Sequence, residues 1–423
     1  MSCRSGTFRF QMSGVFGLAV ALALSGACAY IESEAPKPAP IVQAQPVAKP
    51  APTAQAQSVA KPATAVVSQG RVFPGPAWTV VAPGQVRLDK AKLDAFAKAV
   101  GGRGCVVRHG YMAYTWGDAA QRADIASAAK PFYSHFLFLA LQDRRITPNL
   151  DQKLLKWEPR LLTLNEKIFF KDRNITWWQL ATQTSCYGVD DWCGESFDYN
   201  DYQMALFFDT LFLKVYGAAY ETIDAKVLHP LLTDLIGCED KPTFLAFGTR
   251  DRPGRLAISP RDFARFGWLY LNKGRWAGRQ ILMEQLATLA VSDPLPIRIP
   301  RTKGKAAEMI PGQRTIGSTK IPDDQCDHGG SYSWLWWVNG ADRTGRRRWP
   351  DAPFDVYGAF GHDGQRAMVV FPRQDMIVSW NDTSIQGLAR QNWALQVLRS
   401  AAADTPAAPP SAPQLAAAPA PGR

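Results

Sequence analysis

Residues 123–142 read ADIASAAKPFYSHFLFLALQ. From Ser127 onward this run is strongly apolar, has no interior glycine and predicts a buried helix ending at Gln142. Its one breaker, Pro131, falls in the first turn, where a missing N–H costs nothing. Ser127 and Lys130 form an S-x-x-K pair on that turn, and residues three apart share a helix face. The helix N-terminus carries partial positive charge, which favours a developing alkoxide on serine and disfavours a protonated lysine. Such a lysine can act as a base toward the hydroxyl. The pattern alone carries little weight, because Ser58 and Lys61 match it in a proline-rich stretch where no helix is expected.

The chain on either side decides the fold class. GCVVRHGYMAYTW, 104–116, is rich in β-branched and aromatic residues and predicts a hairpin. Residues 150–275 read as largely helical, for example 203–216 and 260–272. Strand patterns return in SYSWLWWV from Ser331, GQRAMVVFP from Gly364 and DMIVSW from Asp375, and 384–400 is again helical. Strands near both ends with helices between them imply one sheet built from distant parts of the chain, an α/β body.

ADIASAAKPF, 123–132, followed by ITWWQLATQTS, 175–185, resembles the β-lactamase-related serine hydrolases. That family includes class C β-lactamases, penicillin-binding DD-peptidases and related esterases and amidases. The second segment keeps Ile175, Thr176, Leu180, Thr182, Thr184 and Ser185, with Gln183 at the usual His position and Cys186 at the usual Gly. LAISPRDFARFGWLYLNKGRWAGRQIL, 256–282, is similar to a family segment that precedes the last strands. The resemblance implies an antiparallel sheet flanked by helices with an all-helical lobe beside the cleft. It also implies acyl-enzyme chemistry without cofactor or metal.

In FDYNDYQMAL, 197–206, Tyr199 and Asp201 take the tyrosine and asparagine positions of the family's Y-x-N motif. A tyrosine hydroxyl beside Ser127 and Lys130 could relay a proton. Asp201 departs from the pattern: an ionised carboxylate only accepts hydrogen bonds, and facing Lys130 it would favour the ammonium. The expectation is a coupled Lys130–Asp201 pair that leaves the proton to Tyr199. For the third motif, His362-Asp363-Gly364 lies just ahead of a strand-like run, with the register open by about one residue. His362 is expected near the leaving group or a substrate carboxylate, Gly364 to allow close backbone approach, and the Gln365 N–H to join that of Ser127 in an oxyanion hole. Alternation puts Trp334 and Trp336 on one face and Trp337 on the other; all three read as packing, against a competing reading as a substrate platform.

The rest of the sequence bounds the setting. Residues 1–29 read as an export signal, with Arg4 and Arg9, an apolar run from Met12 to Leu24 and an Ala-Cys-Ala exit. Cys28 opens a second reading, lipid attachment, although Ser25 stands where that pattern wants leucine. Residues 30–70 form an Ala/Pro-rich linker in which AQPVAKPAPT is followed by AQSVAKPATA, and 401–423 are similar in character. Between them, 71–400 form one hydrolase body. Net charge is +11, dispersed apart from Arg346, Arg347 and Arg348 beside Trp349, with no aromatic-basic motif. Nucleic-acid binding is excluded on that ground and on the export signal, and the charge reads as attraction to an anionic cell-wall or membrane surface. Five cysteines lie outside the signal; Cys186 and Cys193 flank a short loop and could pair. The expected function is an exported, periplasmic or envelope-associated serine hydrolase acting on a small-molecule or peptide ester or amide. The alternative is an inactive member of the family that binds or scaffolds in the envelope.

Overall fold

The computed structural model describes residues 71–147, 149–247, 253–322 and 326–403. The expected signal, the linker and nearly all of the tail lie outside the described residues. In chain order the elements are helix α1 (Lys90–Val100), strands β1 (Arg103–Arg108), β2 (Tyr111–Trp116) and β3 (Ala123–Asp124), then α2 (Lys130–Gln142), α3 (Trp177–Ala181) and α4 (Asp201–Phe208). There follow β4 (Thr243–Phe247), β5 (Arg255–Ile258), α5 (Pro260–Leu271), the short β6 (Arg275–Trp276) and β7 (Arg279–Gln280), and α6 (Glu284–Ser292). The chain closes with β8 (Tyr332–Ser333), β9 (Trp336–Val338), β10 (Tyr357–Gly361), β11 (Arg366–Phe371), β12 (Met376–Asn381) and α7 (Leu388–Ala401).

Seven strands form one antiparallel sheet in the order β2-β1-β12-β11-β10-β9-β8. The N-terminal hairpin therefore pairs with the last strand, and the expected assembly from distant chain segments is present. β11 and β12 are buried along nearly their whole length, which is why RAMVVF and MIVSWN read as runs rather than as alternation. On one face α5 packs against the sheet centre. Its Gly267 has no room for a side chain, since an added Cβ would lie 2.5 Å from Met368 Sδ and 2.9 Å from Ile377 Cγ2. On the opposite face α1 and α7 pair: Phe96 stacks on Trp393 and meets Trp116 of β2 edge-on.

The all-helical lobe is made of α2, α3, α4 and short helical turns. The N-cap of α3 is a reciprocal box in which the Thr176 hydroxyl accepts from Gln179 N–H and the Gln179 amide accepts from Thr176 N–H. The N-cap of α4 is Asn200, whose Oδ1 accepts from Gln203 N–H at 2.8 Å. α2 runs between lobe and sheet and is apolar all round for that reason: Phe132 stacks on Phe266 of α5 at 4.0 Å, while Phe136 meets Phe212 of the lobe.

Three sequence expectations change. Ser127 does not start the α-helix; Ala126–Ala129 is a separate 3₁₀ turn and α2 begins at Lys130. The region 150–275 is not wholly helical, because β4 and β5 pair with β3 in a small three-stranded sheet. SYSWLWWV is not one strand: Trp334 and Leu335 have φ of 45° and 70° and form the turn between β8 and β9, so the assumed alternation fails there. Gly267→Val should destabilise the protein by about 1–3 kcal/mol through overpacking. Lys98→Ala on the exposed side of α1 should cost under about 0.5 kcal/mol; the urea unfolding midpoints of the two variants check the difference.

Candidate active site

The fold brings the ends of three elements together at one cavity of about 730 Å³, lined among others by Ser127, Lys130, Tyr199, Asp201, Phe360 and His362. Ser127 lies in the 3₁₀ turn between β3 and α2. The preceding Ala126 is held at φ 51°, a left-handed conformation costly for alanine, and its N–H is fixed by Asp124 Oδ1 at 2.7 Å. Asp124 is in turn held by Arg255 and by Arg366 Nη1 at 3.0 Å. This network sets the angle at which the Ser127 hydroxyl enters the cavity.

Lys130 Nζ donates to Ser127 Oγ at 2.9 Å and to Asp201 Oδ1 at 3.1 Å. The ammonium is 3% exposed, so both partners matter to it. Burial pulls its pKa down, but the Asp201 charge, Tyr332 and the Asp201 hydrogen bond together push it above the ordinary lysine value. Lys130 is therefore a cation that donates to Ser127, not a neutral base. The second Asp201 oxygen accepts from Ser318 N–H at 2.8 Å, which brings the 316–318 segment over the cavity. Asn200, the middle residue of the motif, points away and donates to Tyr187 O at 3.0 Å.

Tyr199 is buried, with its ring face toward the Lys130 ammonium at 4.4 Å from the centroid. Trp337 stacks on it at 6.3 Å and 24°, and Tyr332 meets it at 6.1 Å. The Tyr332 hydroxyl accepts from the Gln183 amide at 2.7 Å. Gln183 thus secures the tyrosine that backs Tyr199. Cys186, at the family's glycine position, takes a φ of 54°.

On the far wall, β10 ends against the Ser127 turn. A Cβ on Gly361 would lie 2.2 Å from Ile125 O and 3.1 Å from Ala128 N, so only glycine permits this approach. Asn339 N–H donates to Val356 O, so by alternation the backbone groups of Gly358 and Phe360 also point to the β9 side. β9 pairs only with Tyr357 and Gly358, which leaves the Phe360 N–H past the end of its partner strand, and Phe360 lines the cavity with Ser127.

The third-motif expectations fare unevenly. His362 lines the cavity, and burial, then the charges of Arg366 and Arg255, hold its pKa below the ordinary histidine value. The Gln365 N–H is not available for an oxyanion, since it donates to His362 O at 3.2 Å inside the turn; its side chain remains at the cavity wall. Gly364 is absent from the cavity lining: it faces Gln391 and Ile385 and accepts from Trp380 Nε1 at 2.8 Å, so it shapes the hairpin instead. Cys186 and Cys193 are not joined; Cys186 Sγ faces Ser196 and Cys193 Sγ faces Lys171 O. Trp336 packs on Phe266 and Tyr270 and Trp334 on Phe138, as core residues, while Trp337 reaches the cavity. Sequence reading missed Asp124, Phe360, Ser318 and Arg348. Only Arg348, in its basic run beside Trp349, left a local signal.

No family model matches the chain, and no curated protein sequence matches it. Solved structures do. A penicillin-binding protein homologue from Caulobacter crescentus superposes with TM-score 0.51 at 11% identity, covering 76% of this chain and 99% of that one. A Bacillus anthracis protein described as a 6-aminohexanoate-dimer hydrolase gives 0.50 at 15% identity over 73% and 81%. The chain shares the fold of these two proteins, an antiparallel sheet with flanking helices and a helical lobe.

At neutral pH, Asp201→Asn removes the counter-charge of the buried Lys130, which must then give up its proton to stay buried, and should cost about 3 kcal/mol of stability. A raised lysine pKa contributes stability that is complete below the unfolded lysine value and lost as pH rises through the folded value. The gap between wild type and variant should therefore close at strongly alkaline pH, as read from denaturant unfolding at a series of pH values.

Proposed function

We propose that the protein is a serine hydrolase that cleaves an ester or amide through an acyl-enzyme on Ser127. The observation that carries this reading is the Lys130 bridge: one buried ammonium bonded at once to the Ser127 hydroxyl and to Asp201, at the wall of an open cavity. A structural ion pair has no need of a partly exposed serine as its third member.

The Ser127 oxygen attacks the substrate carbonyl, and a C–O bond forms while the carbonyl pair moves onto oxygen. The N–H groups of Ser127 and Phe360 receive that oxyanion. Lys130, already protonated, steadies the serine alkoxide by donating to it. Tyr199 relays the proton: its hydroxyl accepts the serine proton as it gives its own to the leaving ester oxygen or amide nitrogen and that bond breaks. The ammonium against its ring offsets the charge at that step. Water then adds to the acyl-enzyme along the reverse route, releasing the acid and restoring the Ser127 hydroxyl. The neutral His362 lines the same wall and is assigned to the leaving-group side. The export signal expected in residues 1–29 supports a site of action in the cell envelope.

Intact-mass analysis after incubation with a fluorophosphonate, and separately with benzylpenicillin, tests the proposal. A single adduct is expected with the fluorophosphonate and none in Ser127→Ala. Absence of an adduct from both reagents would remove the hydrolase reading in favour of a binding role. Tyr199→Phe should lower the rate of adduct formation by about 10²–10⁴-fold, the range for a positioned acid–base group.

A further inference from the structure

β10 meets the Ser127 turn at Gly361; its other end, Tyr357, follows the connection from β9, and that end of the sheet carries a basic surface the hydrolase chemistry does not use. Within the connection, ADRTGRRR, 341–348, folds back on itself: Ala341 pairs with Arg347, and Asp342 N–H donates to Arg346 O at 2.9 Å. Asp342 Oδ1 is taken up inside the turn, accepting from the N–H groups of Thr344 and Arg346 and from the Thr344 hydroxyl. Arg343, Arg346 and Arg347 are left exposed. Arg343 Nη2 donates to Ile299 O at 3.4 Å, which brings the exposed Arg298 alongside. Among the described residues, none of these four guanidinium groups forms an ion pair, whereas Arg373 of the β11–β12 turn has Asp355 at 3.6 Å. Arg347 lies 5.7 Å from the Phe354 ring centroid and Arg373 lies 4.4 Å from it. Phe354 is itself 54% exposed, a phenyl ring held among arginines at the surface.

The described body also begins and ends at this side of the sheet. Arg71 Nε donates at 2.7 Å to Asp375, two residues beyond Arg373, and Arg108 joins Gln374 O to the carbonyl of Ala403. The preceding sequence, with the expected export signal and Cys28, therefore enters the body next to the arginine surface. We propose that this surface docks on an anionic phospholipid bilayer, with Arg298, Arg343, Arg346 and Arg347 on lipid phosphates and the Phe354 ring in the apolar boundary below the headgroups. A soluble polyanion would satisfy the arginines and leave the phenyl ring in water; a bilayer serves both. Docked in this way, the body keeps the Ser127 cavity, at the other end of the strands, open to solvent. The docking does not rest on the hydrolase reading.

Co-sedimentation with vesicles tests it on residues 30–423, which retain every described residue and omit the apolar run from Met12 to Leu24 that would bind lipid by itself. Partition onto equimolar phosphatidylglycerol and phosphatidylcholine should exceed that onto phosphatidylcholine alone by about tenfold or more. Arg343→Gln, Arg346→Gln and Arg347→Gln combined should lower partition onto the anionic vesicles by about tenfold or more. The same charge loss at exposed lysines of the helical lobe, Lys153→Gln, Lys156→Gln and Lys167→Gln combined, should lower it by less than about threefold, the long-range part of the attraction. Phe354→Ser should weaken it about fivefold or more, the loss of one buried phenyl ring. Equal partition onto the two kinds of vesicle, or equal losses in the arginine and lysine variants, would overturn the proposal. Undiminished binding by Phe354→Ser would overturn it in favour of a soluble polyanion.

Discussion

The charge on Lys130 is the constraint around which the rest is arranged. A buried ammonium is costly unless it is both paired and hydrogen-bonded. Asp201 supplies the counter-charge from α4 of the helical lobe, Ser127 supplies a neutral acceptor from the turn after β3, and the Tyr199 ring covers the remaining side. Lobe and sheet are thus joined at the point where the nucleophile sits. A change in how α4 meets α2 is at once a change in Lys130 solvation and in Ser127 orientation. The aromatic packing of α2 against both Phe266 and Phe212 keeps that meeting rigid.

A carboxylate at position 201 sets the charge state of Lys130. With an amide opposite, burial would dominate and favour a neutral lysine able to accept the serine proton. With a carboxylate opposite, the balance reverses and the lysine becomes an electrostatic stabiliser. In the proposed mechanism the proton route then passes to Tyr199, which Tyr332 and Trp337 pack against and Gln183 supports through Tyr332. From Tyr199 the stack continues through Trp337 to Arg348 along the cavity wall.

Much of this was legible in the sequence where local pattern and long-range order agreed. The α/β class and a sheet built from distant parts of the chain follow from the strand and helix patterns, and the meeting of Ser127, Lys130, Tyr199 and Asp201 is what the resemblance implied. The unread parts depend on tertiary detail. Two left-handed residues, Trp334 and Leu335, break a run that alternation treats as a strand, and nothing in SYSWLWWV marks that turn with glycine. The Gln365 N–H was assigned to the oxyanion because spacing cannot tell that the HDG turn consumes it, leaving Phe360 on the edge of β10 for that place. Arg348 was hidden among three arginines because inward rotation depends on Trp337 and Trp349 being brought beside it.

The proposed chemistry turns on Lys130 being an ammonium in the resting protein. Titration of the ε-¹³C resonance in selectively labelled protein measures it, with Lys130 assigned by the signal missing from Lys130→Met. The account predicts that this resonance keeps its ammonium position beyond the pH at which exposed lysines titrate. Loss of the proton near neutral pH would contradict it and return the role of base to Lys130.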